Sequence, residues 1–233
     1  MNIIGVTFAR GGSKGVVDKN IRELCSKPLL AYAVETGKKV KSINRMIVST
    51  DSKKIAEIAL KYGAEVPFVR PDELATDDSP EILSWKHAID VLEKDSCEKI
   101  DILVSLPATS PLREDMDVEK AIEKLLTTDV DIVIGVCRSD RSPYFNMVTL
   151  DDKGNASVII DGVDVSRRQD VPEVFDVTTV VYAARAEYVK RASKVLEGKV
   201  GTVIIPKQRA IDIDSEYDFN IAEYLIKTNS QSK

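Results

Sequence analysis

The feature that most constrains this chain is its rhythm. Short apolar runs alternate with helical patterns of ten to fifteen residues through the first two thirds of the sequence. Asn2 to Ala9 reads as a buried strand, and Leu29 to Val40 has helical spacing behind Pro28, a good first-turn residue. Arg45 to Thr50 is a second strand. Ser52 to Tyr62 is a helix, with Ile55, Ile58 and Ala59 on one face and Gly63 as its stop. A short strand is expected over Glu65 to Val69, a helix over Ser79 to Leu92 and a strand over Asp101 to Leu106. A helix over Glu114 to Leu126 and a strand over Asp131 to Cys137 follow. Strands separated by such helices imply an α/β fold, a mostly parallel sheet covered on both faces. Right-handed crossovers gather the loops after the strands at one sheet edge, where such folds bind ligands.

The rhythm breaks after Cys137. Met147 to Leu150 and Ser157 to Ile160 are strand-like pieces around a Lys153-Gly154-Asn155 turn, so residues 139–170 read as an inserted hairpin arm on a single domain of 1–233. Val177 to Ala184 and Gly201 to Ile205 are further strands. Glu216 to Ile226 is a closing helix, and Thr228 to Lys233 is expected to fray.

Composition excludes some functions. The 233 residues carry 33 Lys and Arg against 38 Asp and Glu, a formal charge of −5 that repels a nucleic-acid backbone. Cys25, Cys97 and Cys137 match no zinc spacing and suit a reducing compartment. The start has no basic leader, and no apolar run approaches the ~20 residues of a membrane helix, so a cytoplasmic location with no membrane partner is expected.

Directly after the first strand comes Arg10-Gly11-Gly12-Ser13-Lys14-Gly15, with Lys19 and Asn20 behind it. Glycines let backbone N–H groups approach an anion, and Arg10, Lys14 and Lys19 add three positive charges. The loop suits a triphosphate, although it is neither a Walker A loop nor GxGxxG. The ordinary alternative is a solvated basic turn. Near the end stands Ile211-Asp212-Ile213-Asp214. Alternation points Asp212 and Asp214 the same way, and two carboxylates converging near a triphosphate call for a cation, Mg²⁺ by donor chemistry. Against that, Asp214 or Ser215 could cap the last helix. Thr109-Ser110-Pro111-Leu112-Arg113 sits at the end of a buried strand, although Ser110 could cap the next helix and Arg113 could pair with Glu114 or Asp117 on the surface. Arg70, beside Pro71, could read a base or a phosphate. Arg168 with Gln169, in the arm, could hold a carboxylate. His87 is the only histidine and reads as packed or exposed, which disfavours His-based hydrolysis.

Together the segments Ala9 to Asn20, Lys27 to Leu29, Ser49 to Ser52, Arg70 to Asp77, Thr109 to Arg113, Arg167 to Phe175 and Ile211 to Phe219 resemble the cytidylyltransferases that make CMP-sugars from CTP and acidic sugars. The likeness is strongest to the CMP-sialic acid synthetases (N-acylneuraminate cytidylyltransferases). It implies a Rossmann-like nucleotidyltransferase (nucleotide-diphospho-sugar transferase) fold and a homodimer in which the arm reaches the partner's site. It also implies CTP phosphates held by Arg10, Ser13, Lys14, Lys19 and Asn20, with Arg10, Lys14 and Lys19 as the catalytic charges. Arg70 and the backbone around Ser79 would lie at the cytosine, with Mg²⁺ on Asp212 and Asp214. Arg168 would clamp the sugar carboxylate beside Tyr182. The sugar half departs from the sialic acid pattern. Pro107-Ala108 replaces Gln-Pro, Thr178-Thr179 replaces Asn-Gly, and Ser142 replaces a His. Another acidic sugar, such as a legionaminic, pseudaminic or octulosonic acid, therefore fits, and the shorter Kdo fingerprint is not matched. Two other functions stay open: a nucleotidyltransferase for a sugar phosphate with another NTP, and a non-catalytic nucleotide-sugar binder.

Overall fold

The computed structural model describes residues 1–12, 15–160 and 170–231. In chain order the elements are β1 (Ile3–Phe8), β2 (Glu23–Leu24), β3 (Lys27–Pro28), α1 (Leu29–Lys39), β4 (Arg45–Ser49), α2 (Lys53–Lys61), α3 (Glu81–Ser96), β5 (Ile102–Ser105) and α4 (Asp115–Thr127). Then come β6 (Ile132–Arg138), the arm strands β7 (Val148–Leu150) and β8 (Ala156–Val158), β9 (Phe175–Arg185), α5 (Ala186–Arg191), β10 (Val200–Ile204) and α6 (Glu216–Gln231).

Six strands form one sheet in the order β10-β6-β9-β5-β1-β4. β1 runs parallel to β4 and β5, and β10 parallel to β6. β9 alone is antiparallel to both of its neighbours. That follows from the arm: after β6 the chain leaves as an excursion, not a helical crossover, and must return running the other way. The β6–β9 register shifts between Ile134 and Val136, an irregularity of the kind that re-aims side chains beside a site.

Strand alternation divides the core between two faces. Ile3, Met46, Val48 and Val104 pack with Leu30 and Val34 of α1, Ile55 of α2 and Ile122 of α4. Ile4, Val6, Ile47 and Leu103 pack on the opposite face with Trp85 and Ile89 of α3 and Tyr188 of α5. A third cluster joins Val16, Leu24, Leu29, Ile213, Phe219 and Ala222. It fixes the segment behind the glycine loop to the acidic segment before α6. No helix among the described residues is long and apolar enough to cross a membrane.

Several expectations are corrected. Glu65 to Val69 is not a strand; Glu65 and Val69 each make a single bridge, to Ile47 and Thr50. Pro67 removes a ladder donor between them. α3 starts at Glu81 behind Pro80 and runs on to Ser96. α6 continues to Gln231, past the expected stop at Ile226 and through the start of the expected fray. The six-residue α5 and the small β2–β3 ladder went unpredicted, being too short to show a period.

Candidate active site

The site lies at the C-terminal ends of β1, β4 and β5, where their following loops meet. There a cleft of about 430 Å³ is lined by Arg10, Gly15, Lys19, Asn20, Arg70, Ser79, Thr109 and Asp214, among others. The sequence singles out four of the segments that form it, the glycine loop, the turn after Arg70, the Thr109 segment and the acidic segment. Gly15 stands so close to the acidic segment that a Cβ there would meet the Asp214 carbonyl oxygen at 2.4 Å. Asn20 is buried, and its amide donates to the Arg10 carbonyl at 3.0 Å, which sets the curvature of the loop.

The described cations of the cleft each face a carboxylate. Arg10 pairs with Asp77 and lies within 3.4 Å of the Ala75 carbonyl. Lys19 Nζ donates to the Ile213 carbonyl at 2.6 Å and reaches Asp214 Oδ1 at 3.1 Å. Arg70 is only 4% exposed, and its Nη2 lies 3.7 Å from Asp51 Oδ1, too far for a hydrogen bond. Burial holds the Arg70 guanidinium below its ordinary pKa, while Asp51 pulls it back up. Arg70 Nε and Nη2 and Ser79 Oγ are buried with no hydrogen-bond partner among the described residues. Such groups cost about 1–3 kcal/mol each unless something completes them, so they mark where a polar ligand fits.

The acidic segment is irregular chain between β10 and α6. Ile213 is fully buried, and its N–H donates to the Thr109 carbonyl at 2.9 Å. Burying such a side chain contributes roughly 1.5–3 kcal/mol, which anchors the two flanking aspartates. The cap of α6 falls to Ser215, whose oxygen accepts from Asp218 N–H at 3.3 Å while Asp218 accepts from Ser215 N–H at 2.9 Å. Capping therefore leaves Asp212 and Asp214 unexplained. Burial pushes the Asp212 carboxyl up, against the pull of the Thr109 hydroxyl, and the Asp214 charge adds to the rise. Asp212 Oδ1 is buried without a hydrogen-bond partner among the described residues. Among the described residues no three potential ligand side chains gather into one metal cluster. A magnesium ion needs only one or two carboxylates when phosphates supply the rest, so this pair fits.

On the other side, Ser110 Oγ and Thr179 Oγ1 are 2.7 Å apart, and Thr109 Oγ1 donates to Thr179 Oγ1 at 3.3 Å. Ser110 does not cap α4; Glu114 does, in a capping box with Asp117. Nor does Arg113 pair on the surface. It is buried, and donates to the carbonyls of Val180 and Pro107 at 2.6 Å and of Thr179 at 3.0 Å. Asp117 instead takes both prongs of Arg209. Arg113 thus staples the Thr109 loop to β9. Tyr182 packs edge-on against Trp85 at 5.9 Å, and burial pushes its phenol up to about 12. Ser142 is a buried turn residue whose carbonyl accepts from Phe145, Asn146 and Met147, and Thr178 is also buried. His87 packs edge-on against Phe68 at 5.1 Å. Ser13, Lys14, Arg168 and Gln169 lie outside the described residues.

Asp51 and Asp77, the carboxylates facing Arg70 and Arg10, stand in segments that carry the family resemblance, but the sequence assigned neither a role of its own. Asp51 also lies just after a buried strand at the binding edge.

Residues 4–227 match a family model described as Cytidylyltransferase. The chain is 37% identical over 232 residues to Post-translational flagellin modification protein B of Campylobacter coli, covering 99% of this chain and 98% of that one. It is 34% identical over 230 residues to CMP-N,N'-diacetyllegionaminic acid synthase of Campylobacter jejuni, covering 99% and 97%. In three dimensions it is similar to a CMP:2-keto-3-deoxy-manno-octonic acid synthetase complexed with CTP. That match has a TM-score of 0.71 at 14% identity, over 98% of this chain and 100% of the other. On a family match that spans nearly the whole chain, and on relatives covered over nearly their full length, this chain belongs to the cytidylyltransferase family.

Proposed function

We propose that this cytidylyltransferase moves CMP from CTP to the anomeric hydroxyl of an acidic nonulosonic sugar, with a legionaminic-type acid as the first candidate. The observation that carries the reading is the cleft itself. A glycine loop, Lys19, a buried Arg70 with N–H groups unpartnered among the described residues, and Asp214, two residues after Asp212, converge where an open α/β sheet binds its ligand. The relative named for CMP-diacetyllegionaminic acid, and the changes at Pro107 and Thr179 from the sialic acid pattern, support an acceptor other than neuraminic acid.

The sugar oxygen attacks the α-phosphorus, the bond from that phosphorus to the bridging oxygen breaks, pyrophosphate leaves, and the hydroxyl proton passes to water. Negative charge grows on the phosphoryl oxygens and the leaving group. Arg10, Lys14 and Lys19, with the loop of Gly11, Gly12 and Ser13, hold that charge, and Asn20 keeps the loop in shape. Preorganised charges of this kind are worth 10²–10³ in rate apiece, on the order of 3–4 kcal/mol. Arg70 and Ser79 hold the cytosine end. Asp212 and Asp214 would hold Mg²⁺, which when bound neutralises the triphosphate. Thr109, Ser110 and Tyr182 face the acceptor, and Arg168 with Gln169 takes its carboxylate.

A homodimer through the 139–170 arm completes the reading. Phe145, Met147, Val148, Leu150, Ile159 and Ile160 are 37–69% exposed on this small excursion. An isolated two-stranded hairpin is marginal in water, so a second copy covering this face would stabilise it. The test is pyrophosphate release with CTP and Mg²⁺ against legionaminic, pseudaminic, neuraminic and octulosonic acids. Release with one of the first two supports the reading. Release with none of the four, or with sugar phosphates instead, contradicts it.

A further inference from the structure

Asp51 sets a negative charge beside a cleft that must take a triphosphate, and repulsion alone disfavours it there. Its position follows from the sheet. β1 and β4 run parallel with Phe8 opposite Ser49, and the Ala9 N–H extends the pairing to the Ser49 carbonyl at 3.0 Å. On the other side, the Arg70 N–H donates to the Thr50 carbonyl at 2.9 Å. Asp51 is therefore held between the glycine loop and Arg70, and one oxygen faces both. Asp51 Oδ1 accepts from the Gly11 N–H at 3.0 Å and lies 3.7 Å from Arg70 Nη2. It is not needed as a helix cap, because Ser52 Oγ accepts from the Ile55 N–H at 3.4 Å at the start of α2.

We propose that Asp51 is a positioning residue for the nucleotide: its oxygen fixes the glycine loop that meets the phosphates, and its charge holds the buried Arg70 toward the base. This rests on the CTP reading above. The two jobs are separable. Asp51→Asn keeps an acceptor oxygen for Gly11 and removes the charge at Arg70; Asp51→Ala removes both.

The experiment is calorimetric titration of wild type and both variants with inorganic tripolyphosphate, CTP and UTP, alongside thermal melting. For Asp51→Ala, tripolyphosphate should bind about tenfold more weakly, the scale of one hydrogen bond to a preorganised loop, and CTP up to about 100-fold more weakly, because the charge at Arg70 is lost as well. For Asp51→Asn, tripolyphosphate should stay within about threefold of wild type while the preference for CTP over UTP falls about tenfold, the scale of one charged contact. Should Asp51→Ala melt before it can be titrated, the Asp51→Asn split decides alone. Unchanged affinities in both variants, or a parallel loss of tripolyphosphate and CTP in Asp51→Asn, overturn the proposal. A wild-type protein that fails to bind CTP overturns the cytidylyl reading itself.

Discussion

Gly15→Ala probes the join between the glycine loop and the acidic segment. An added Cβ would meet the Asp214 carbonyl oxygen at 2.4 Å, about 1 Å inside the 3.4 Å where ordinary contact begins. The obstacle is backbone, and it cannot swing aside. Ile213, next to it, is fully buried and tied to the Thr109 carbonyl at 2.9 Å. The loop must therefore move, by about 1 Å, away from Lys19 and Asp214. A misplacement of that size costs on the order of 10² in kcat. Forced overpacking costs roughly 1–3 kcal/mol, a fall in Tm of about 2–12 °C for a chain of this length. Gly154→Ala, in the exposed turn of the arm, is the control. Gly154 has φ +83° and, among the described residues, no atom within 4 Å of a built Cβ, so alanine there meets backbone strain of ~1–2 kcal/mol and no contact. Both variants would be assayed by pyrophosphate release with CTP and the accepted sugar, after melting curves establish folding. A folded Gly15→Ala within threefold of the wild-type kcat, or one no slower than Gly154→Ala, would refute the reasoning.

Three other outcomes are expected. Asp212→Ala should lower turnover at least 10²–10³-fold, the scale of one lost preorganised charge site, without changing the sedimentation coefficient; near-normal turnover would remove it from the metal assignment. Arg113→Leu leaves the carbonyls of Pro107, Thr179 and Val180 without their donor. It should cost about 3 kcal/mol or more, a Tm drop of about 6–12 °C by differential scanning calorimetry, and a drop under 2 °C would contradict the staple. Leu150→Asp, at a site 69% exposed on the arm, should weaken self-association about 10–100-fold in sedimentation equilibrium, the cost of losing one buried leucine; an unchanged association constant would place the interface elsewhere.

The architecture was legible because its signal is local. The alternation of strand and helix periods, Pro28 before α1 and the turn at Gly154 need no tertiary knowledge. The excursion after Cys137 was legible as a break in rhythm, and the antiparallel β9 is its consequence. The glycine loop and the aspartate pair stood out as residue types that are costly to place together without a ligand. What stayed hidden depends on burial and long-range pairing. Arg113 reads as a surface charge until three distant carbonyls are seen around it. Asp51 reads as the residue before a helix cap until the β1–β4 register sets it between Gly11 and Arg70. Glu65 to Val69 has strand composition, yet one proline and the sheet edge leave it only two bridges.

The most direct measurement of the central claim is a ³¹P NMR time course of CTP, Mg²⁺ and a legionaminic-type acid with the enzyme. The expected result is loss of all three triphosphate resonances in step with equal amounts of pyrophosphate and a single phosphodiester, which is cleavage at the α-phosphorus with the sugar as acceptor. Accumulation of CDP and inorganic phosphate, or of CMP without a phosphodiester, would contradict it.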